Sequence, residues 1–263
     1  MATTGVLQRW IASLTIAEGV TSMQAAVGSP RPFRYTSPAV TIQTTRDASP
    51  RTSAIPIARE GYGLIALALA IALGLWWLGG TIGGLLGALL LGLVVNFFRD
   101  PERLPPADER LIVAPADGKV IVVSPTHEDR FLKADTIKIS IFMSPLNVHV
   151  NRNPLSGTVI GTHYNHGKYL RAFAEKASLD NEQNAIVVED PHGRRVCFVQ
   201  IAGFLARRIV CYLQPGMSVR RGERCGIIKF GSRLDIYLPP EVEVRVHVGD
   251  RTAAGETVIG AWR

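Results

Sequence analysis

Cysteine is scarce: the 263 residues hold three, Cys197, Cys211 and Cys225, at an even spacing of fourteen. An odd count with no close pair excludes the thiol clusters of zinc or redox sites. The three fall in strand-like runs, where a free cysteine behaves as a small buried hydrophobe. No metal is expected, and the bulk of the chain is expected on the cytosolic side. Aromatic residues make up only 7%. No basic stretch is interleaved with them, so no nucleic-acid partner is expected. Residues 1–58 lack the compact apolar core and cleavage site of a signal peptide. The largest absence is of charge: from Gly61 to Phe98 there is not one charged side chain.

What fills that gap is apolar. The run LIALALAIALGLWWLGGTIGGLLGALLLGLVVNFF, from Leu64 to Phe98, is too long for a core helix. It approaches twice the roughly 20 residues that one spanning helix needs. Gly79, Gly80, Gly83 and Gly84 break it near the middle. The spacing predicts a membrane anchor over 59–99 made of two helices, about 63–79 and 82–98; one long tilted or interfacial helix is the alternative. Arg51 and Arg59 precede the run and Arg99, Arg103 and Arg110 follow it, so the positive-inside rule puts both flanks in the cytoplasm of a cell-membrane protein. The net charge of +7 fits an anionic membrane surface. Before the anchor, 1–58 mixes Ser, Thr, Ala, Pro and Arg without lasting periodicity and is expected to be a disordered extension.

After Pro105 the chain changes to short Val/Ile-rich segments parted by Gly, Pro, Asp and Asn: GKVIVV, TIKISIFM, NAIVVED, RVCFVQIAG, RIVCYL, CGIIKF and LDIYL. This pattern predicts strands and turns. Two segments echo each other, SVRRGERCGII from Ser218 and VHVGDRTAAGETVIG from Val246. The best helix candidate of this half is short, Gly167 to Lys176. The expected fold is α+β and predominantly β: a sandwich or barrel-like domain over 100–263, preceded by a transmembrane helical hairpin.

Three motifs carry possible chemistry. In KFGSRLDIYLP, from Lys229 to Pro239, a Gly-Ser pair interrupts two strand-like runs. Gly231 offers an uncrowded carbonyl, and the Ser232 hydroxyl follows it directly and can attack it if a base is near. Alone, such a pair reads as a turn. In VAPADGKV, Asp117 precedes a glycine, which is ordinary turn chemistry. In SPLNVHVNRNPLSG, His149 sits in an alternating run between two prolines. A lone strand histidine is more often structural than catalytic. Together, Asp117, His149 and Ser232 offer an orienting carboxylate, a base tunable near neutral pH and a nucleophile.

The motifs are also ordered. NFFRDPER after the apolar run, PADGKV, FMSPLNVHVNRNP, SLDNEQNA from Ser178 and FGSRLDIYLP follow one another. In this the chain, from about Gly61 to Arg263, resembles the short bacterial form of the phosphatidylserine decarboxylase family. The resemblance implies that Ser232 attacks the Gly231 carbonyl and that the ester undergoes β-elimination. The dehydroalanine so formed hydrolyses to a pyruvoyl group and ammonia. Residues 1–231 would then form the larger (beta) chain and 232–263 the smaller (alpha) chain of a heterodimer, with Ser232 converted to a covalent pyruvoyl cofactor. Its ketone would take the serine amine of phosphatidylserine as a Schiff base and act as electron sink while carbon dioxide leaves, giving phosphatidylethanolamine. Asp117 and His149 would assist self-cleavage, and His149 would also donate a proton during decarboxylation.

The chain departs from longer family members at two places. They carry Leu-Gly-Ser-Thr at the cleavage site, where this chain has Phe230, Gly231, Ser232 and Arg233. They carry a second histidine three after the first, where this chain has Arg152. Arg152 is therefore a possible contact to substrate phosphate or carboxylate, or a solvated cation. His163 and His166 offer a second base, a metal pair or a polar loop, with His166 the preferred base. Arg207 with Arg208, and Arg220 with Arg221, could meet anionic headgroups or simply face water. Two other readings remain: a pyruvoyl decarboxylase of a soluble amino acid, which leaves the anchor without a purpose, and a non-enzymatic membrane-tethered β-domain adaptor.

Overall fold

The computed structural model describes residues 56–167, 181–203, 208–229 and 232–263. Nearly all of the predicted 1–58 extension, most of the helix candidate Gly167 to Lys176, and Phe230 and Gly231 lie outside the described residues.

A one-turn 3-10 helix, Arg59–Gly61, leads into α1 (Tyr62–Phe97). Where two helices were expected, backbone hydrogen bonding gives one element of 36 residues, with a single non-helical residue at Gly80 (φ 55°, ψ −139°). That left-handed φ is open to glycine without steric cost. Among the described residues α1 is the one helix long and apolar enough to cross a membrane. Most of its large side chains are exposed, Leu67, Leu73, Trp76, Trp77, Ile82 and Leu85 among them, while Ala68 and Phe97 are buried. A helix apolar all round needs either a protein interior or lipid about it. Its flanks are hydrogen-bonded to each other: Ala58 N–H donates to the Phe98 carbonyl (2.8 Å) and Asp100 N–H to the Pro56 carbonyl (2.7 Å).

The rest is β-structure: β1 (Leu111–Val113), β2 (Gly118–Glu128), β3 (Ala134–Met143), β4 (Val150–Arg152), β5 (Gly157–Asn165), β6 (Gln183–Glu189), β7 (Arg195–Ala202), β8 (Ile209–Cys211), β9 (Ser218–Val219), β10 (Arg224–Ile228), β11 (Ser232–Leu238), β12 (Val242–Val244), β13 (Arg251–Thr252) and β14 (Val258–Trp262). They form an eight-stranded sheet in the order β13-β2-β3-β11-β7-β6-β5-β9 and two three-stranded sheets, β1-β14-β12 and β4-β10-β8. The alternation in sequence explains the packing, since successive strand residues point to opposite faces. In β3, Ile139, Ile141 and Met143 enter one core with Leu234, Ile236 and Leu238 of β11. Ile259 and Trp262 of β14 and Cys225 and Ile228 of β10 join the same core, so the small sheets close over one face of the large one. The opposite face carries a smaller cluster that includes Ala185, Cys197, Val199 and Tyr237.

The echoing segments are both strand-turn-strand units, and they meet. Gly222 and Gly255 each have φ 79°, and a Cβ on Gly255 would lie 3.4 Å from the Gly222 Cα.

β11 is buried along its whole length, between β3 and β7. Its polar residues therefore need internal partners. Arg233, 2% exposed, donates from Nε to Asp235 Oδ1 (2.6 Å) and from Nη2 to Asp235 Oδ2 (2.9 Å) and Ser140 Oγ (3.1 Å). Lys138 Nζ adds a second cation 3.2 Å from Asp235 Oδ2. Breaking such a pair strands a buried charge. Arg233→Ala should cost about 3–5 kcal/mol in urea melts, and adding Asp235→Ala should recover part of that loss. Additive losses would show that the pair is not coupled.

Candidate active site

Ser232 opens β11, paired with Met143 of β3 on one side and Ala202 of β7 on the other. Its side chain is fully buried, and its hydroxyl donates to the Met143 sulfur at 3.2 Å. A thioether is a weak acceptor. The oxygen of Ser232 is therefore held in place without being engaged by any strong partner among the described residues.

His149 lies just before β4. The turn ahead of it is fixed by Asn147, whose Oδ1 accepts from Ser144 N–H (2.9 Å) and Ser144 Oγ (2.7 Å). His149 Nδ1 is 2.9 Å from the Asn147 carbonyl. A carbonyl only accepts, so the proton sits on Nδ1 and Nε2 carries the lone pair. Nε2 is buried and has no hydrogen-bond partner among the described residues. The ring stacks on Phe97, the last residue of α1, at 4.0 Å between centroids. Burial, first, and then the nearby Arg99 charge push the imidazole down to about 4, against the Asn147 bond that favours its cation. At neutral pH His149 is an uncharged base with its acceptor nitrogen unused. Its carbonyl accepts from Ile228 N–H (3.4 Å), which ties it to the strand leading toward the Gly231-Ser232 bond.

Asp117 sits in the turn between β1 and β2, 8% exposed. Oδ1 accepts from Ala254 N–H (2.7 Å) and Oδ2 from Arg103 Nη2 (3.1 Å). Burial raises its carboxyl above the usual range, opposed by the Ala254 bond and by the charges of Arg103, Arg99 and Arg152. The hydrogen bonds of Asp117 run to Arg103 and Ala254, and those of His149 to Asn147. The structure thus places Asp117 beside the segment that leaves the anchor, not on the imidazole.

Arg152 is buried. Nη1 donates to the Gly222 carbonyl (2.8 Å), and Nη2 to Asp100 Oδ1 (3.2 Å) and the Pro101 carbonyl (2.8 Å). It clasps the segment after α1 to the turn before β10. His166 is exposed and meets the Tyr164 ring edge-on, while His163 stacks on Phe131. The registers of β11-β7, β7-β6 and β6-β5 set Arg233, Ile201, Gln183 and Asn165 on one row across the sheet, with Ser232 and His166 each next in sequence to one end of it. Three strand spacings separate the ends of that row, on the order of 14 Å along the sheet. The Tyr164 hydroxyl donates to Glu182 Oε1 between them.

Sequence reasoning missed a buried amide chain behind Ser232. Asn151 Nδ2 reaches the Met143 sulfur (3.8 Å), Gln200 Nε2 donates to Asn151 Oδ1 (2.9 Å), and Asn184 Nδ2 donates to Gln200 Oε1 (3.1 Å). Its signal was Gln200 itself, a polar residue inside the apolar run RVCFVQIAG. Such a network fixes rotamers only when its members satisfy one another, as these do.

The family model described as phosphatidylserine decarboxylase matches residues 90–260. A phosphatidylserine decarboxylase proenzyme of Geobacter metallireducens is 50% identical over 216 residues, covering 80% of this chain and 98% of the relative. The proenzyme of the same name from Aromatoleum aromaticum is 44% identical over 203 residues, 77% of this chain and 94% of the relative. That of Trichlorobacter lovleyi is 53% identical over 171 residues, 65% and 77% respectively. A match of this length and identity, spanning Asp117, His149 and Ser232, makes the chain a member of the phosphatidylserine decarboxylase family.

Proposed function

We propose that the chain is a membrane-anchored proenzyme that cuts itself between Gly231 and Ser232 and then decarboxylates phosphatidylserine to phosphatidylethanolamine. The observation that carries this reading is His149: neutral, protonated on Nδ1, with a buried Nε2 that has no partner. In a family whose relatives are named proenzymes, an idle buried base, tied through Ile228 to the strand that leads to a weakly held serine hydroxyl, supports self-cleavage.

Ser232 Oγ attacks the Gly231 carbonyl carbon as Nε2 accepts the hydroxyl proton. The Gly231–Ser232 C–N bond breaks, the nitrogen takes a proton, and an ester links Gly231 to the Ser232 oxygen. Removal of the Ser232 α-proton then expels the Gly231 carboxylate, leaving dehydroalanine, which with water becomes a ketone and releases ammonia. Asp117 acts through Arg103 and the Ala254 turn as a positioning residue. The pyruvoyl ketone supplies the electron sink for the carbanion left by decarboxylation. His149, held at Nδ1, is the proton donor of this reading, returning a proton to the α-carbon.

The anchor reads as a hairpin. A straight helix of this length would run about 54 Å, against a hydrocarbon core of about 30 Å. The break at Gly80 and the bonds joining 56–58 to 98–100 support two antiparallel halves. So does the close approach at two glycines: a Cβ on Gly83 would lie 1.9 Å from the Leu75 carbonyl oxygen, and one on Gly87 2.6 Å from the Ala72 Cα. Such a hairpin returns the chain to its starting side, and the flanking arginines make that side cytoplasmic.

Intact-mass spectrometry of the purified protein tests the reading. Two fragments are expected, the smaller beginning at position 232 with a pyruvoyl end, and purified protein should release carbon dioxide from phosphatidylserine. A single intact chain would favour the adaptor; a cleaved chain active on free amino acids but not on the lipid would favour the soluble-substrate enzyme.

A further inference from the structure

Three cations around the segment leaving α1 are paired with carboxylates. Arg103 pairs with Asp117 and Glu256, Arg152 with Asp100, and Arg224 with Asp100 and Glu102. Arg99 has no carboxylate partner among the described residues. Its Nη1 donates to the Asn96 carbonyl (2.6 Å) and Asn96 Oδ1 (2.8 Å), and its Nη2 to the Leu146 carbonyl (2.8 Å). A guanidinium has five N–H donors, so the Nε–H and one Nη2–H are left over.

Its position is equally particular. Arg99 is the first charged residue after the apolar run, two residues beyond the Phe97 that stacks on His149. It grips the loop that carries His149 at Leu146, an apolar side chain 65% exposed, as suits a loop lying against lipid. Its charge acts on both Asp117 and His149. An unneutralised guanidinium thus stands where the membrane ends and the site begins.

We infer that Arg99 binds the phosphodiester of the phosphatidylserine headgroup and sets the depth at which the serine moiety meets position 232. This rests on the function proposed above. The headgroup has two anions, and the chemistry separates them. Pairing a cation with the carboxylate would stabilise the charge that must leave as neutral carbon dioxide, which opposes the reaction. The phosphodiester is unchanged from substrate to product, so binding it lowers KM and leaves kcat alone. A planar fork also suits two phosphate oxygens better than an ammonium does.

The test is steady-state kinetics of the full-length processed enzyme in phosphatidylserine mixed micelles, for wild type, Arg99→Gln and Arg99→Lys, with the extent of cleavage fixed by intact mass. Arg99→Gln should cleave normally and show KM raised by about tenfold or more, with kcat within about twofold; Arg99→Lys should fall between. Glycerophosphoserine, the headgroup without acyl chains, should inhibit wild type and inhibit Arg99→Gln about tenfold less. An unchanged KM overturns the inference. So does a fall in kcat or in self-cleavage at constant KM, which would make Arg99 a brace for the Leu146 loop. Equal inhibition by glycerophosphoserine also overturns it, since Arg99 would then act only through the charged membrane surface. A wild-type chain without lipid decarboxylation overturns the functional reading and this inference together.

Discussion

Ser232→Ala leaves a single uncut chain of 28.6 kDa and no decarboxylation. The loss is expected to be complete, because the substitution removes both the nucleophile of cleavage and the atoms that become the cofactor. It should also be separable from misfolding. The hydroxyl's bond in the structure goes to the Met143 sulfur, a weak acceptor, and alanine keeps the strand geometry of β11. The thermal midpoint should therefore stay close to that of an uncleaved precursor. Two fragments, or residual turnover, would remove Ser232 from its role. Ser144, next in sequence to the Met143 that pairs with Ser232, has its hydroxyl tied to Asn147 Oδ1.

His149→Ala should slow self-cleavage by about 10²–10⁴, the usual contribution of a positioned general base, as followed by gel densitometry after synthesis at neutral pH. Burial supplies a signature that distinguishes His149 from an exposed histidine. With its folded value pushed down to about 4, the base form persists well into the acid range. Wild-type cleavage should hold down to about pH 5 and fall only as pH drops through about 4, whereas an ordinary histidine base would fail through about 6.5. Stability follows the same group. Between about 4 and 6.5 the unfolded chain binds a proton at His149 that the folded chain does not, so stability rises with pH across that window. On the order of 3 kcal/mol should be lost on acidifying from 6.5 to 4, and His149→Ala should flatten that slope. A cleavage rate that drops near pH 6.5, or a variant that matures at the wild-type rate, would take the base role from His149.

Much of the local structure was legible in the sequence. TIKISIFM and LDIYL alternate with period two, and they are the core-facing strands β3 and β11. GKVIVV lies in β2, and the Gly turns of the echoing segments sit where glycine φ is positive. What the sequence did not disclose is pairing between distant strands. Ser232 lies beside Met143 and Ala202 because of a register no local pattern encodes. For the same reason the Asn151-Gln200-Asn184 chain had no signal beyond one polar residue in an apolar run. Arg152 shows the converse limit: its motif singles it out, but its partners Asp100 and Gly222 are remote in sequence, and they give it a clasping role. Asp117 was found by its motif, yet its bonding to Arg103 and Ala254 depends on how the anchor's exit segment lies across the domain.

β11 is an inner strand, and the cut proposed here falls at its first residue. The segment 232–263 also supplies β12, β13 and β14, so it is laced into two sheets. Maturation of this kind turns one folded chain into a two-chain complex without moving a strand. Before the cut, unfolding and refolding are unimolecular; afterwards the lost strand must be found again by collision, with its ladder partners long since collapsed. The working enzyme would then persist through the slowness of its opening rather than through reversibility, and a cell could replace an unfolded copy only by translating a new one.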